Sequence, residues 1–163
     1  MKEIINDAKK YFEAKQNYID LFVKYNTRAE GWFQGELLKF FSSDYMKIKH
    51  GIEIKSVGKP VGKRKPDLIL NVDGKKEIIE LKAISVQDWR TLDVYFKVDE
   101  GLAKAFKTLS SSKTKEYLLT FAYPKPEDWK EKIKEAEKKY GIEEILKESI
   151  GKKLLISLLT NSK

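Results

Sequence analysis

The 163-residue chain contains no cysteine and a single histidine, His50. The absence of cysteine excludes disulfide bonds, thiolate nucleophiles and cysteine-ligated zinc sites. One histidine also makes a histidine-rich metal site or a Ser-His dyad hard to build. Any chemistry that this protein performs must therefore use carboxylates, amines or hydroxyls.

Long apolar stretches are also missing from the sequence. No run of about 18 consecutive apolar residues occurs, and the chain does not start with a charged segment, an apolar run and a small-residue cleavage site. We therefore expect a cytoplasmic protein without a membrane partner. The length fits one domain, and 41% hydrophobic with 12% aromatic residues suffices for a core.

The charge is basic: 33 Lys and Arg against 25 Asp and Glu give a net charge of +8. Such an excess suggests an anionic partner such as nucleic acid, although a lysine-rich solvated surface gives the same balance. Seven basic residues and one acidic residue lie between positions 46 and 66, so most of the net positive charge of the chain lies in this segment. The candidate nucleic-acid-binding residues are Lys59, Lys63, Arg64 and Lys65 in this segment, with Lys97 further along the chain.

Apolar periodicity predicts an α/β fold. Apolar residues recur three or four apart in the predicted helices, and they alternate in, or fill, the predicted strands. The predicted order is helix 2–26, helix 28–42, strand 45–57, strand 66–72, strand 75–84, helix 99–110, strand 116–123, helix 126–140 and strand 153–160. This order fits a single α/β domain with a mixed central sheet flanked by helices.

A two-residue turn at Asp73-Gly74 is the strongest short hairpin signal in the chain. Its register places Asp67 directly opposite Glu80, on one face of the hairpin and with Cβ atoms about 4.5–5.5 Å apart. Lys82 lies two residues beyond Glu80 and projects from the same face. Because opposed like charges are destabilising, the pair predicts a positive group between the two carboxylates.

Carboxylate oxygens without Cys or His are the ligands that Mg²⁺ selects, and Mn²⁺ is a possible substitute. A metal ion held by Asp67 and Glu80 could polarise a phosphodiester and activate a bound water. Lys82 could stabilise the transition state or accept a proton from that water, and both roles stay open. The alternative is structural: Asp67 begins a strand, and Glu80 and Lys82 form a surface ion pair.

Pro66-Asp67, followed after twelve residues by Glu80-Leu81-Lys82, resembles the PD-(D/E)xK motif of the restriction-endonuclease-like nucleases. The predicted order over residues 28–123 is similar to the core of that superfamily, a helix, three antiparallel strands, a crossover helix and a strand. An N-terminal helix and a C-terminal α-β extension would complete one nuclease-like domain over residues 1–163. The resemblance implies Asp67, Glu80 and the backbone carbonyl of Leu81 as Mg²⁺ ligands, with Lys82 beside the attacking water.

Many members of that superfamily carry a further Glu on the first core helix. Glu30 lies closer than Glu36 to the apolar stripe of the predicted helix 28–42, so we prefer Glu30 as the additional catalytic residue. Gln34, one turn along, could bond to Glu30 or to a metal-bound water. Glu36 stays a supporting candidate because its surroundings resemble the helix of archaeal Holliday-junction resolvases. Residues 27–30 also form a capping box, in which Glu30 would bond to the Thr27 amide.

Together these features predict metal-dependent hydrolysis of nucleic acid, foremost by a DNA endonuclease. The resemblance is to restriction enzymes or Holliday-junction resolvases. The alternative is a basic domain that keeps the fold and binds nucleic acid without catalysis. A homodimer is an expectation if both strands of a duplex are cut, because a two-fold enzyme presents two sites to it.

Overall fold

The computed structural model describes residues 1–60, 65–86, 92–97 and 101–161. They form one α/β domain around a six-stranded mixed sheet with the strand order β1-β2-β3-β4-β6-β5. The strands are β1 (Ile52–Val57), β2 (Leu68–Val72), β3 (Lys75–Ser85), β4 (Tyr117–Tyr123), β5 (Ile142–Ile150) and β6 (Leu154–Asn161). Only the β3/β4 pair is parallel among these neighbours.

Helices cover both faces of the sheet. They are α1 (Lys2–Glu13), α2 (Gln16–Tyr25), α3 (Glu30–Phe41), α4 (Asp44–His50), α5 (Leu92–Lys97), α6 (Leu102–Ser111) and α7 (Trp129–Tyr140). Apolar residues of α1 and α3 pack with one side of the sheet, and those of α6 and α7 pack with the other. None of the helices in the described residues combines the length and apolar character needed to cross a membrane.

Strands β4 and β6 form the buried centre of the molecule. All seven residues of β4 and all eight residues of β6 are buried. The continuous apolar run predicts such a strand because a side chain on either face meets a helix layer. Phe121 of β4 stacks on Phe33 of α3 with ring centroids 4.3 Å apart, which joins the sheet to the first core helix.

The β2/β3 hairpin has the predicted turn and register. Asp73 and Gly74 both have positive φ, at 48° and 80°, as a type I′ turn requires. Val72 pairs with Lys75, and the ladder continues in register to Leu68 and Ile79. The hairpin prediction is confirmed over this range.

Residues 2–26 form two helices instead of the one predicted. The first helix ends at Glu13, and the second begins at Gln16. The break lets α1 contact β5 while α2 contacts β4. Local periodicity does not detect it because both segments carry apolar residues at helical spacing.

Residues 45–57 are not one strand, as the alternating pattern predicts, but the helix α4 followed by β1. The Ser43 side chain accepts a hydrogen bond from the Met46 amide and caps α4, which ends at Gly51 with a φ of 56°. Ile48, which completes the alternation in sequence, is 84% exposed. The buried residues Met46 and His50 lie four apart, the spacing of a helix.

Two further elements are absent from the prediction. Helix α5 lies in the segment predicted as a polar connection, and β5 extends a short apolar segment into a strand of nine residues. The C-terminal extension is therefore α-β-β and not α-β. Pairing with the fully buried β6 explains the length of β5, because this neighbour supplies hydrogen-bond partners along the strand.

Asp7 ties α1 to α4 through a buried carboxylate. Its Oδ2 atom lies 2.6 Å from Lys49 Nζ, 2.8 Å from His50 Nε2 and 3.3 Å from Tyr45 Oη. Burial by itself raises the pKa of Asp7, but the hydrogen bonds from His50 and Lys49 outweigh it and lower that pKa overall. The folded state therefore favours the ionised carboxylate.

We predict that Asp7→Asn lowers the free energy of unfolding by about 1.5–3 kcal/mol near neutral pH, the range for hydrogen bonds to charged groups. Because folding lowers the pKa of Asp7 below its ordinary 3.8, its contribution is present above that pH and is lost as the pH falls below it. Urea denaturation should thus show wild type and variant converging in acid. Glu127→Gln, which removes an exposed charge, is the control. A pH-independent difference between wild type and Asp7→Asn would contradict the assignment.

Candidate functional site

Strand β3 extends beyond its antiparallel neighbour. It pairs with β2 only from Lys75 to Ile79, but it continues along β4 to Ser85. Over Glu80–Ser85, no strand of the described residues pairs with the edge that faces β2. Backbone amides at such an edge need other acceptors.

Two carboxylates accept the hydrogen bonds of these amides. Leu81 N–H donates to Asp67 Oδ2 at 2.7 Å, and Ala83 N–H donates to Glu30 Oε2 at 3.1 Å. The two amides point to the same edge because they lie two residues apart in a strand. The strand backbone therefore holds Asp67 and Glu30 at adjacent positions along its open edge.

Glu80 and Lys82 lie on either side of Leu81 in sequence and project from the same face of the sheet. Lys82 Nζ lies 3.5 Å from Glu30 Oε1, with 25% of the Lys82 side chain and 46% of the Glu30 side chain exposed. Glu80 is half-buried. The structure thus places Asp67 and Glu30 on neighbouring amides of β3 and pairs Lys82 with Glu30, while Glu80 lies on the same face as Lys82.

A pocket of about 410 Å³ opens at this edge. Glu30, Glu80 and Lys82 line the pocket together with residues of α6. The remaining lining residues are Ala83, Ile84, Tyr95, Gly101, Lys104, Ala105 and Thr108. Carboxylates and ammonium groups therefore share a cavity that is open to solvent.

A tyrosine latch fixes the segment that carries Glu30. Tyr123 Oη accepts a hydrogen bond from the Ala29 amide at 2.9 Å and donates one to the Thr27 carbonyl at 3.0 Å. Ser85 Oγ donates to Asn26 Oδ1 at 3.0 Å in the same segment. Burial raises the pKa of Tyr123, so the hydroxyl stays protonated and can donate. The latch sets where α3 begins.

The capping-box interpretation of Glu30 is wrong. Helix α3 begins at Glu30 itself, with Ala29 at the N-cap position and no side-chain cap hydrogen bond. The Glu30 carboxylate is directed to the Ala83 amide and to Lys82. The capping pattern fails because the Tyr123 latch binds the Thr27 and Ala29 backbone, and the helix starts two residues later than predicted.

Glu36 does not line this pocket. Its Oε2 atom accepts from Tyr11 Oη at 2.6 Å and pairs with Lys15 Nζ at 2.9 Å. Burial raises the pKa of Glu36, but the bonds from Tyr11 and Lys15 lower it overall. Glu36 thus ties α3 to α1. Gln34 is half-buried one turn from Glu30 and is not among the residues that line the pocket.

The predicted basic residues are only partly described. Lys59 and Lys65 are exposed and are not among the residues that line the pocket. Lys63 and Arg64 lie outside the described residues, as does the side chain of Lys97.

Sequence reasoning missed two tyrosines that shape the site. Tyr123 lies inside a continuous apolar run, where it is indistinguishable from a core aromatic residue. Tyr95 donates to the Ser85 carbonyl at 2.9 Å and lines the pocket, but it comes from α5, which the prediction lacks. Neither residue carries a local signal because each acts through a partner on another element.

The donor chemistry of the site suits a hard cation. Asp67 and Glu80 offer carboxylate oxygens, and the Leu81 carbonyl faces the same open edge as its N–H, since both groups of a strand residue point to one neighbour. Within the described residues, no group of three or more His, Cys, Asp or Glu side chains stands close enough to hold a metal. A cation here would thus be bound by two carboxylates, a backbone carbonyl and non-protein ligands.

Comparisons with known proteins do not identify the chain. No protein-family model matches it, and the searches of curated proteins and of solved structures found no significant match.

We predict that Tyr123→Phe lowers the free energy of unfolding by about 1–3 kcal/mol, because the Ala29 amide and the Thr27 carbonyl lose their buried partner. Hydrogen exchange at the Ala83 amide should also accelerate, since Glu30 is no longer held in place. Tyr18→Phe, which removes a hydroxyl from a 54% exposed side chain, is the control and should change stability by less than about 0.5 kcal/mol. Unchanged exchange at Ala83 in Tyr123→Phe would show that the latch does not position Glu30.

Proposed function

We propose that this protein is a cytoplasmic, Mg²⁺-dependent nuclease of the PD-(D/E)xK type that hydrolyses phosphodiester bonds in DNA. The observation that carries the proposal is the open edge of β3, where Asp67 and Glu30 bind alternate amides and Glu80 and Lys82 flank Leu81. Asp67, Glu80 and Lys82 belong to the motif that the sequence resembles, and Glu30 is the additional acidic residue expected from the first core helix. A surface ion pair alone does not explain why two carboxylates are held by backbone amides beside a pocket.

Asp67 and Glu80 are the side chains that would hold Mg²⁺, together with the Leu81 carbonyl. When bound, the ion supplies charge stabilisation for the phosphate and lowers the pKa of a coordinated water. Mn²⁺ prefers the same oxygen ligands and should replace it.

Lys82 and Glu30 act as a pair beside that position. The Glu30 carboxylate is fixed by the Ala83 amide through one oxygen and meets the Lys82 ammonium with the other. Glu30 therefore positions the amine. The ammonium can stabilise negative charge that develops on the phosphate oxygens.

Exposed cations would hold the nucleic-acid backbone. Lys104 of α6 lines the pocket, while Lys59 and Lys65, which do not line it, are exposed in the segment between β1 and β2. Contacts of this kind bind phosphates without reading sequence and weaken as salt rises.

We predict that Glu80→Gln and Lys82→Ala each reduce Mg²⁺-dependent cleavage at least about 100-fold, the usual effect of removing one charge-stabilising group. Nucleic-acid affinity should change by less than about threefold, because phosphate contacts elsewhere supply most of the binding. Cleavage should be measured on linear duplex, single-stranded and branched DNA and on RNA, with Mg²⁺ or Mn²⁺. Glu143→Gln and Lys147→Ala, both exposed on β5, are the matched controls.

The absence of cleavage on every substrate with both metals would overturn the enzyme proposal. Retained binding under those conditions would identify the non-catalytic nucleic-acid-binding alternative. Sedimentation with and without a DNA duplex tests the homodimer that cleavage of both strands would require.

A further inference from the structure

The outward side of α2 carries an exposed apolar stripe. Tyr18, Leu21 and Tyr25 are 54%, 48% and 65% exposed, and their spacing of three and four places them on one side of the helix. Three of the large hydrophobic residues that the described chain exposes thus lie within one helix of ten residues. Clustered exposed apolar side chains are typical of binding surfaces. We call Tyr18, Leu21 and Tyr25 the α2 stripe.

The stripe is not needed for the core. Ile19 is fully buried, and Phe22 packs against Trp32 with ring centroids 5.0 Å apart, so the inward side of α2 is already apolar. Trp32 also packs against Tyr18, with ring centroids 5.8 Å apart. The Tyr18 ring is therefore held in place although the residue is 54% exposed.

The charges around the stripe are positive. Lys24 Nζ lies 5.2 Å from the centre of the Tyr25 ring, and Arg28 is exposed just beyond the helix. Among the described residues, no carboxylate forms a salt bridge with either cation, whereas Asp20 is neutralised by Lys153 at 2.7 Å. A second copy bound symmetrically would bring these like charges together, while a polyanion would neutralise them.

The stripe leads to the candidate site. Tyr25 is the last residue of α2, and the next residue, Asn26, is bonded to Ser85 at the end of β3. The chain then passes through the Tyr123 latch to Glu30, which lines the pocket. Aromatic rings, cations and catalytic candidates therefore follow one another along the chain from Tyr18 to Glu30.

We propose that the α2 stripe binds single-stranded nucleic acid and leads an unpaired strand into the pocket. Bases stack on Tyr25 and Tyr18, and phosphates meet Lys24 and Arg28, an arrangement that tolerates any sequence. The inference deepens the proposed function, on which it rests, by naming the substrate class: nucleic acid with an unpaired segment beside the cleaved bond.

The test is fluorescence anisotropy in EDTA, where cleavage cannot contribute, with a labelled single strand of about 15 nucleotides and the same strand in a duplex. Tyr18→Ala/Tyr25→Ala should weaken single-strand binding at least about tenfold and duplex binding less than about twofold, because stacking on two rings is lost. Ile48→Ala, which shortens an 84% exposed apolar side chain on α4, is the control and should change neither affinity.

Substitutions at Tyr25 separate stacking from general apolar contact. Tyr25→Phe keeps the ring and should bind the single strand as wild type does, whereas Tyr25→Leu keeps apolar surface without a ring and should bind several-fold more weakly. Circular dichroism verifies that each variant is folded. If the double variant fails to fold, the single Tyr25 variants still provide the test, because Tyr25 lies at an exposed helix end. Lys24→Gln should reduce the salt dependence of binding, with Lys134→Gln, at an exposed position on α7, as its control.

Equal single-strand affinity of wild type and the double variant, or of Tyr25→Phe and Tyr25→Leu, would overturn the inference. If sedimentation shows a dimer for wild type and a monomer for the double variant, the α2 stripe binds a second copy of the chain and the inference is overturned. Because binding is measured without metal, loss of single-strand affinity in the double variant supports the stripe even if no substrate is ever cleaved. If the protein cleaves nucleic acid but the stripe substitutions leave single-strand affinity unchanged, the nuclease proposal stands and the binding of an unpaired strand to the α2 stripe is rejected.

Discussion

The difference in length between β2 and β3 is the constraint on which the site depends. β3 extends six residues past Ile79, the last residue paired with β2, and its edge amides then require acceptors that no strand of the described chain supplies. Asp67 reaches Leu81 because it lies just before β2, and Glu30 reaches Ala83 because α3 crosses at that height. The edge amides of β3 need hydrogen-bond acceptors, and this need explains why acidic side chains lie together here, independently of any chemistry that they perform.

The buried centre of the sheet keeps this edge open and rigid. β3 is held on its other side by seven paired residues of β4, and β4 is in turn paired with the fully buried β6. Phe33 and Tyr123 fix α3 against this sheet. Phe33 stacks on Phe121, and Tyr123 accepts a hydrogen bond from the Ala29 amide, just before Glu30. Carboxylates placed by a packed strand and helix are more precisely positioned than carboxylates on a surface loop.

Sequence patterns predict the parts of this arrangement that depend on local periodicity. The turn at Asp73-Gly74 and the register that follows from it as far as Leu68 and Ile79 are of this kind, and so is the placement of Glu80 and Lys82 on one face of β3. The break in residues 2–26, the helix α4 and the start of α3 follow instead from packing between distant segments. The Tyr123 latch joins Tyr123 to Ala29 and Thr27, which lie 94 and 96 positions away in sequence. Neither this latch nor the hydrogen bond from Ala83 to Glu30 has a signal in the neighbouring sequence.

The contact between Lys82 and Glu30 illustrates how the site can be both ordered and reactive. Glu30 keeps one oxygen on the Ala83 amide, but the other meets Lys82 at 3.5 Å, longer than a strong charge-assisted hydrogen bond of about 2.7–2.9 Å. With a quarter and nearly half of their side chains exposed, the two groups are screened by water and lose little when they separate. In the proposed nuclease, the ammonium could therefore turn from Glu30 to a phosphate oxygen of the substrate, while the hydrogen bond from the Ala83 amide keeps the carboxylate in place.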